Sequence, residues 1–149
     1  VAEYKRSIYS IMFNTLQALG IEGLNLSSDA AYATRRDRRD VWLQKGAKSL
    51  KMGSKGLKFV GDVAFQGFAL YVDKDCVRHF QLVNACGYDP KEGKVTSVEE
   101  VLGIKVAHSD VHEIVKGQIR EHFGYTKIEE VSLAKLHAMM EEGEIQCQV

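Results

Sequence analysis

Proline is almost absent from this sequence of 149 residues: Pro90 is its one instance. Proline-rich linkers and polyproline recognition segments are therefore excluded. Cysteine is scarce too. Cys76, Cys86 and Cys147 form an odd set with no CxxC pair. That argues against a disulfide scaffold, a zinc ribbon and CxxCH haem attachment. Reduced thiols in a reducing intracellular compartment are expected. Net charge is absent as well, since the formal value is +0. No field of the whole molecule draws in nucleic acid or an anionic membrane. No stretch has 18 consecutive apolar residues, so no spanning helix is expected. GxSxG, Walker A, GxGxxG and HExxH are all missing, which removes the usual hydrolase, nucleotide and zinc-protease signatures. Internal repeats are absent.

What is present is ordinary globular composition, with 45% hydrophobic and 27% charged residues. One domain over 1–149 is expected from the length. The sequence starts at Val1, with neither an initiator methionine nor a signal-peptide pattern. A mature form that has lost an organelle leader (mitochondrial or plastid), or a fragment, is expected from that start.

Hydrophobic spacing predicts a helix over Ala2–Leu19, with Ile8, Ile11, Met12, Thr15, Leu16 and Leu19 on one face and Gly20 as the stop. Tyr4, Tyr9 and Phe13 widen its apolar surface. Val41–Leu57 reads two ways. A basic amphipathic helix would carry Lys45, Lys48, Lys51, Lys55 and Lys58 on its polar side, but Gly46, Gly53 and Gly56 oppose it. A hairpin pairing Leu50–Met52 with Leu57–Phe59 across Gly53-Ser54-Lys55-Gly56 is preferred, after a short helix or irregular segment. Val63–Val72 and Val77–Ala85 read as the next two strands, and 87–93 as a loop. Helices follow at Ser97–Leu102, at Ser109–Phe123 and from Thr126 to Gly143. Capping boxes at Ser97/Glu100 and Thr126/Glu129 mark the starts of the first and third. Ile145–Val149 alternates like a final strand. The class is α+β, an antiparallel sheet with helices packed on one face.

Charge is unevenly placed. Between Arg35 and Lys58 the sequence has a local net of +7. Arg35, Arg36, Arg38, Arg39, Lys45, Lys48, Lys51 and Lys58 form a candidate patch for an anionic partner, or a face neutralised within the fold. Aromatics do not interleave this series, so nucleic acid is not the expected partner. His108 and His112 stand four apart near Asp110 and Glu113, but a third ligand at motif spacing is missing. His79 and His137 are read as hydrogen-bonded side chains rather than haem ligands. No metal and no cofactor are expected.

The stretch GSKGLKFVGDVAFQGFALYVD, 53–73, resembles the N-terminal sheet of the chalcone isomerase family. Gly53, Lys55, Gly56, Leu57, Gly61, Phe65, Phe68, Ala69, Leu70, Tyr71 and Val72 carry the resemblance, and LAKLHAMMEEGEIQCQV adds a looser match. The resemblance implies an open-faced sheet on helices with a cleft between them. Lys55, Gln66 and Tyr71 become candidate ligand-binding residues. Lys55 falls where the family has a ligand-facing arginine, and Gln66 where the enzymes have a threonine. A lysine lacks the planar fork of an arginine. The family's terminal strands and helix are not found beyond Val149. The expected function is therefore a non-catalytic accessory subunit of a larger, organellar protein assembly, with other subunits as partners. The alternatives are a binder of an apolar, fatty-acid-like molecule, or an isomerase or intramolecular lyase using the same cleft. A further alternative is a basic module for RNA or anionic lipid.

Overall fold

A computed structural model describes residues 1–25, 40–45, 48–80, 82 and 93–143 of the chain. Five strands make one sheet: β1 (Leu24–Asn25), β2 (Val41–Lys45), β3 (Lys48–Val60), β4 (Val63–Leu70) and β5 (Gly93–Val95). The path β1-β2-β3-β4 is antiparallel throughout, and β5 adds to β3 in parallel. The helices are α1 (Ala2–Ala18), α2 (Lys74–Phe80), α3 (Val98–Leu102), α4 (His108–Phe123) and α5 (Leu133–Glu141). The class is α+β, with helices packed on one face of the sheet.

The first helix is the keystone of the core. Ile11, Met12 and Leu16 are fully buried, and Ile8, Tyr9 and Phe13 nearly so. All of these but Phe13 cluster with Val41, Leu43, Leu50 and Met52 from the sheet and Val98 from α3. Burial on this scale is the main stabilising term for the fold. On its other side α1 packs against α4, where the rings of Tyr4 and Phe123 lie 5.5 Å apart. The helix ends at Leu19, and Gly20 takes a φ of +88°. Thus the predicted span and stop of α1 match, and both sides of the helix are used.

The sheet departs from expectation in one instructive way. Gly53, Ser54, Lys55 and Gly56 form no turn. They run through the middle of β3, a strand of 13 residues. The turn falls at Gly61-Asp62, and β4 pairs back from Val60↔Val63 to Gly53↔Leu70. Gly61 adopts a φ of +56° there, which glycine reaches without strain. Gly53 serves close approach instead, because α1 and β4 crowd its α-carbon. The segment before Leu50 is a strand, β2, not a helix or irregular stretch.

Val77 to Phe80, expected in a strand, belongs to α2. Asp73 starts that helix, its Oδ1 accepting the Cys76 N–H at 3.0 Å. Local capping overrides the alternating pattern. The Ser97 cap is found as expected, accepting from the Glu100 N–H at 3.2 Å. The helix α4 begins one residue early, at His108, with Ala107 as its cap. The last helix starts later than Thr126: Ser132 caps it by accepting from the Lys135 N–H at 3.2 Å. Residues Gln81, 83–92 and 144–149, including the expected final strand, lie outside the described residues. Among those described, no helix is long and apolar enough to cross a membrane.

Candidate functional site

The two faces of the sheet have different chemistry. Toward α1, β3 presents Met52 and, after an irregularity in register, Gly53, Lys55, Leu57 and Phe59. Lys55 Nζ donates to the Lys5 carbonyl on α1 at 3.3 Å and lies 5.7 Å from the Tyr9 ring centre. The opposite face holds Trp42, Lys51, Ser54 and Tyr71. Cross-strand pairs share a face. Ser54↔Ala69, Gly56↔Gly67 and Lys58↔Phe65 therefore continue that second face toward the hairpin end.

A buried ion pair sits on this second face. Lys51 Nζ lies 2.5 Å from Asp40 Oδ2, and the two side chains are 7% and 15% exposed. The other oxygen of Asp40 accepts the Lys55 backbone N–H at 3.0 Å. The Lys51 ammonium also stands 5.9 Å from the centre of the Trp42 ring, beside the π face that attracts a cation. The backbone of Lys51 is fixed too, since its carbonyl accepts the Thr96 N–H at 2.9 Å. A buried charge needs this much partnering, because desolvating it alone costs several kcal/mol.

Tyr71 lies next to the pair. Its hydroxyl is 2.5 Å from Ser54 Oγ, and its ring centre is 4.8 Å from that of Phe80 on α2. Burial pushes the phenol above its ordinary value, against the Ser54 hydrogen bond and the Lys51 charge, which lower it. Beyond Ser54 the face carries small groups. A side chain at Gly67 would meet nothing within 4 Å. At the far end Val60, Val63 and Phe65 are about half exposed. The result is a strip of small and apolar groups, with the exposed Lys58 beside Phe65 near the hairpin, that runs up to a charged, partly polar end.

The structure separates the sequence-derived candidates. Lys55 is on the α1 face and Tyr71 on the other, so they line no common cleft. Gln66 stands opposite Leu57 in register. Of the basic series, Lys45 and Lys58 are exposed, whereas Lys51 is buried and does not belong to a solvated patch. Arg35, Arg36, Arg38 and Arg39 lie outside the described residues, and Lys48 is placed only by its pairing with Lys45. His108 is bonded to Asp73, with Nε2 3.3 Å from Oδ2. Among the described residues, no three His, Cys, Asp or Glu side chains gather as a metal would require. Cys76 is held by the Asp73 carbonyl, and burial with nearby acidic groups pushes its thiol to about 11. It is not a ready nucleophile. The Asp40–Lys51 pair was hidden in the sequence by its setting, a run of charges that reads as solvated. Only the register of β2 and β3 turns Lys51 inward.

Comparison with known proteins gives a consistent name. The chain is 30% identical over 132 residues to an octanoyltransferase of a Bradyrhizobium strain, covering 85% of this chain and 50% of that protein. It is 25% identical over 119 residues to an octanoyltransferase of Tropheryma whipplei, covering 80% and 48%. Against an octanoyltransferase of Rhodopseudomonas palustris it is 33% identical over 98 residues, covering 62% and 41%. The chain spans about half the length of the curated relatives it matches. No family model matches it. These similarities overturn the chalcone isomerase resemblance and, with it, the non-catalytic accessory subunit. Of the glycines that suggested that family, Gly53 answers to the close approach of α1 and Gly61 to the hairpin turn. The alternative of a fatty-acid-like ligand, or of an enzyme, lies nearer the relatives' name.

Proposed function

We propose that this chain carries an acyl-transfer site and acts on octanoyl groups. The observation that carries this reading is the similarity to octanoyltransferases over most of the chain. The geometry supports a division of labour. The strip from Phe65 and Val63 past Gly67 and Gly56 takes the alkyl chain, which needs apolar surface and no polar partners. The carbonyl then lies at the Lys51 end. Acyl transfer passes through a tetrahedral oxyanion, and a preorganised cation in a site of low dielectric stabilises that charge. Lys51 supplies it. Attack on the acyl carbon forms the bond to the incoming nucleophile. Collapse of the oxyanion then breaks the bond to the leaving group, which departs with a proton.

The reading makes a direct prediction. Incubation with an octanoyl thioester should leave an octanoyl adduct on the chain, seen by intact mass. Cys76→Ala should retain it, because that thiol is held in its protonated form. Cys86→Ala and Cys147→Ala, tested separately, identify whether a thiol carries the group. Lys51→Met should slow transfer by about 10²–10³-fold, the usual effect of removing one oxyanion-stabilising group. Wild-type rates in Lys51→Met would remove Lys51 from the site. Absence of both adduct and transfer in the wild-type chain would overturn the reading itself.

A further inference from the structure

We propose that Asp40 is a positioning residue: it holds the Lys51 ammonium at the reacting end of the strip. This inference rests on the acyl-transfer reading for its catalytic meaning, but on geometry alone for the contact. Several observations converge. Asp40 lies just before β2, and its two oxygens are engaged separately. One takes the Lys51 ammonium at 2.5 Å, and the other takes the Lys55 backbone N–H at 3.0 Å. The carboxylate is therefore anchored to the backbone of β3, the strand that carries Lys51. Its position does not depend on the lysine it holds. A lysine stem is long and loses much rotamer freedom when fixed. Held by the anchored carboxylate and flanked by the Trp42 ring, it keeps one geometry before any substrate arrives.

Alternatives for the pair are weaker. A purely stabilising role is a poor explanation of a buried ion pair, since apolar residues of similar volume often serve as well or better. An exposed basic patch is excluded by the burial of Lys51. The pair also faces other polar groups of the site. Tyr71 feels both charges, and its hydroxyl meets Ser54. The cluster thus has a fixed cation at its centre, held from behind by Asp40 and bordered by a hydroxyl pair.

The test reads the lysine directly and then the reaction. Trace acetylation with acetic anhydride, followed by peptide mass spectrometry, compares Lys51 with the exposed Lys58 in the same molecule. In the wild-type chain Lys51 should label at least about tenfold more slowly, because a paired, buried ammonium is a poor nucleophile. Equal labelling of the two lysines would overturn the inference without any variant. Asp40→Asn, nearly isosteric, should raise Lys51 labelling severalfold, and Asp40→Glu should restore protection. Unchanged labelling in Asp40→Asn would also overturn it. In the transfer assay Asp40→Asn should lower kcat by about 10–100-fold with KM within about twofold, the pattern of lost positioning rather than lost binding. A wild-type kcat in Asp40→Asn would refute the positioning role. If the wild-type chain shows no transfer, the functional reading fails, while the labelling still decides whether Asp40 holds Lys51.

Discussion

A Cβ on Gly53 would sit 2.8 Å from the Ala69 carbonyl oxygen, 2.9 Å from Met12 Cε and 3.0 Å from Leu70 Cδ2. The methionine can yield, but the backbone oxygen cannot without disturbing the β3–β4 ladder. Gly53→Ala should therefore destabilise the protein by about 1–3 kcal/mol, the usual range for overpacking. Gly67 offers the matching control three pairs along the same ladder. Its added methyl would meet open space. Gly67→Ala should be neutral or stabilising by up to about 1 kcal/mol, since glycine weakens a strand interior. Urea denaturation of the two variants checks the contrast. A Gly53→Ala protein as stable as wild type would mean that α1 sits farther from β3. This residue also shows where sequence reasoning failed. A glycine read alone signals a turn, whereas Gly53 is needed because Met12, 41 positions earlier, packs over it. The same limit hid Lys51 and Asp40, whose pairing exists only once β2 is in register with β3.

At the level of elements, the capping signal held at Ser97 but not at Thr126, where Ser132 caps the helix instead, and hydrophobic spacing held at α1 but not everywhere. The Ser97 cap lies where its side chain demands, and the Gly124 stop where the absence of a Cβ permits a φ of +68°. Alternation alone misled at Val77–Phe80, where the Asp73 cap selects a helix. Another electrostatic device ties the stretch after α4 to the helices around it. Lys116 pairs with Glu113 and Glu130, and Glu129 with Lys127 and Lys135. The Lys135 and Lys127 ammonium groups lower Glu129 to about 2, and Lys116 lowers Glu130. A depressed carboxylate stabilises the folded arrangement above its ordinary value of 4.5, and that contribution is lost as pH falls toward the depressed one. The groups are exposed, so the effect is local rather than global. Acidification from pH 5 to pH 2 should therefore loosen residues 127–136 while α1 and β3 keep their structure. Amide NMR signals followed against pH report both. In Lys116→Met the Glu130 transition should move up toward the ordinary carboxylate range, and Glu129 should be unaffected. An unmoved Glu130 transition would show that Lys116 does not hold it.

Across the whole molecule, stability and proposed chemistry occupy opposite faces of one sheet. The α+β class and α1 were legible because burial dictates the pattern, and β4 because its β-branched and aromatic residues suit a strand. The full length of β3 and the parallel addition of β5 were not, since both depend on partners distant in sequence. This division predicts that stability is concentrated on the α1 side and nearly absent from α5, none of whose residues is buried. Leu16 is fully buried, and Leu133 is 68% exposed. The same substitution at these two sites separates the two contributions. Leu16→Ala leaves a cavity between α1 and its neighbours in the core, and should cost about 2–5 kcal/mol. Leu133→Ala exposes nothing new and should stay within about 0.5 kcal/mol of wild type. Chemical denaturation measures both. A large loss in Leu133→Ala would mean that α5 is covered in solution by something that buries Leu133. A small loss in Leu16→Ala would mean that the sheet stands without α1, contrary to a core in which that helix supplies the largest share of fully buried side chains.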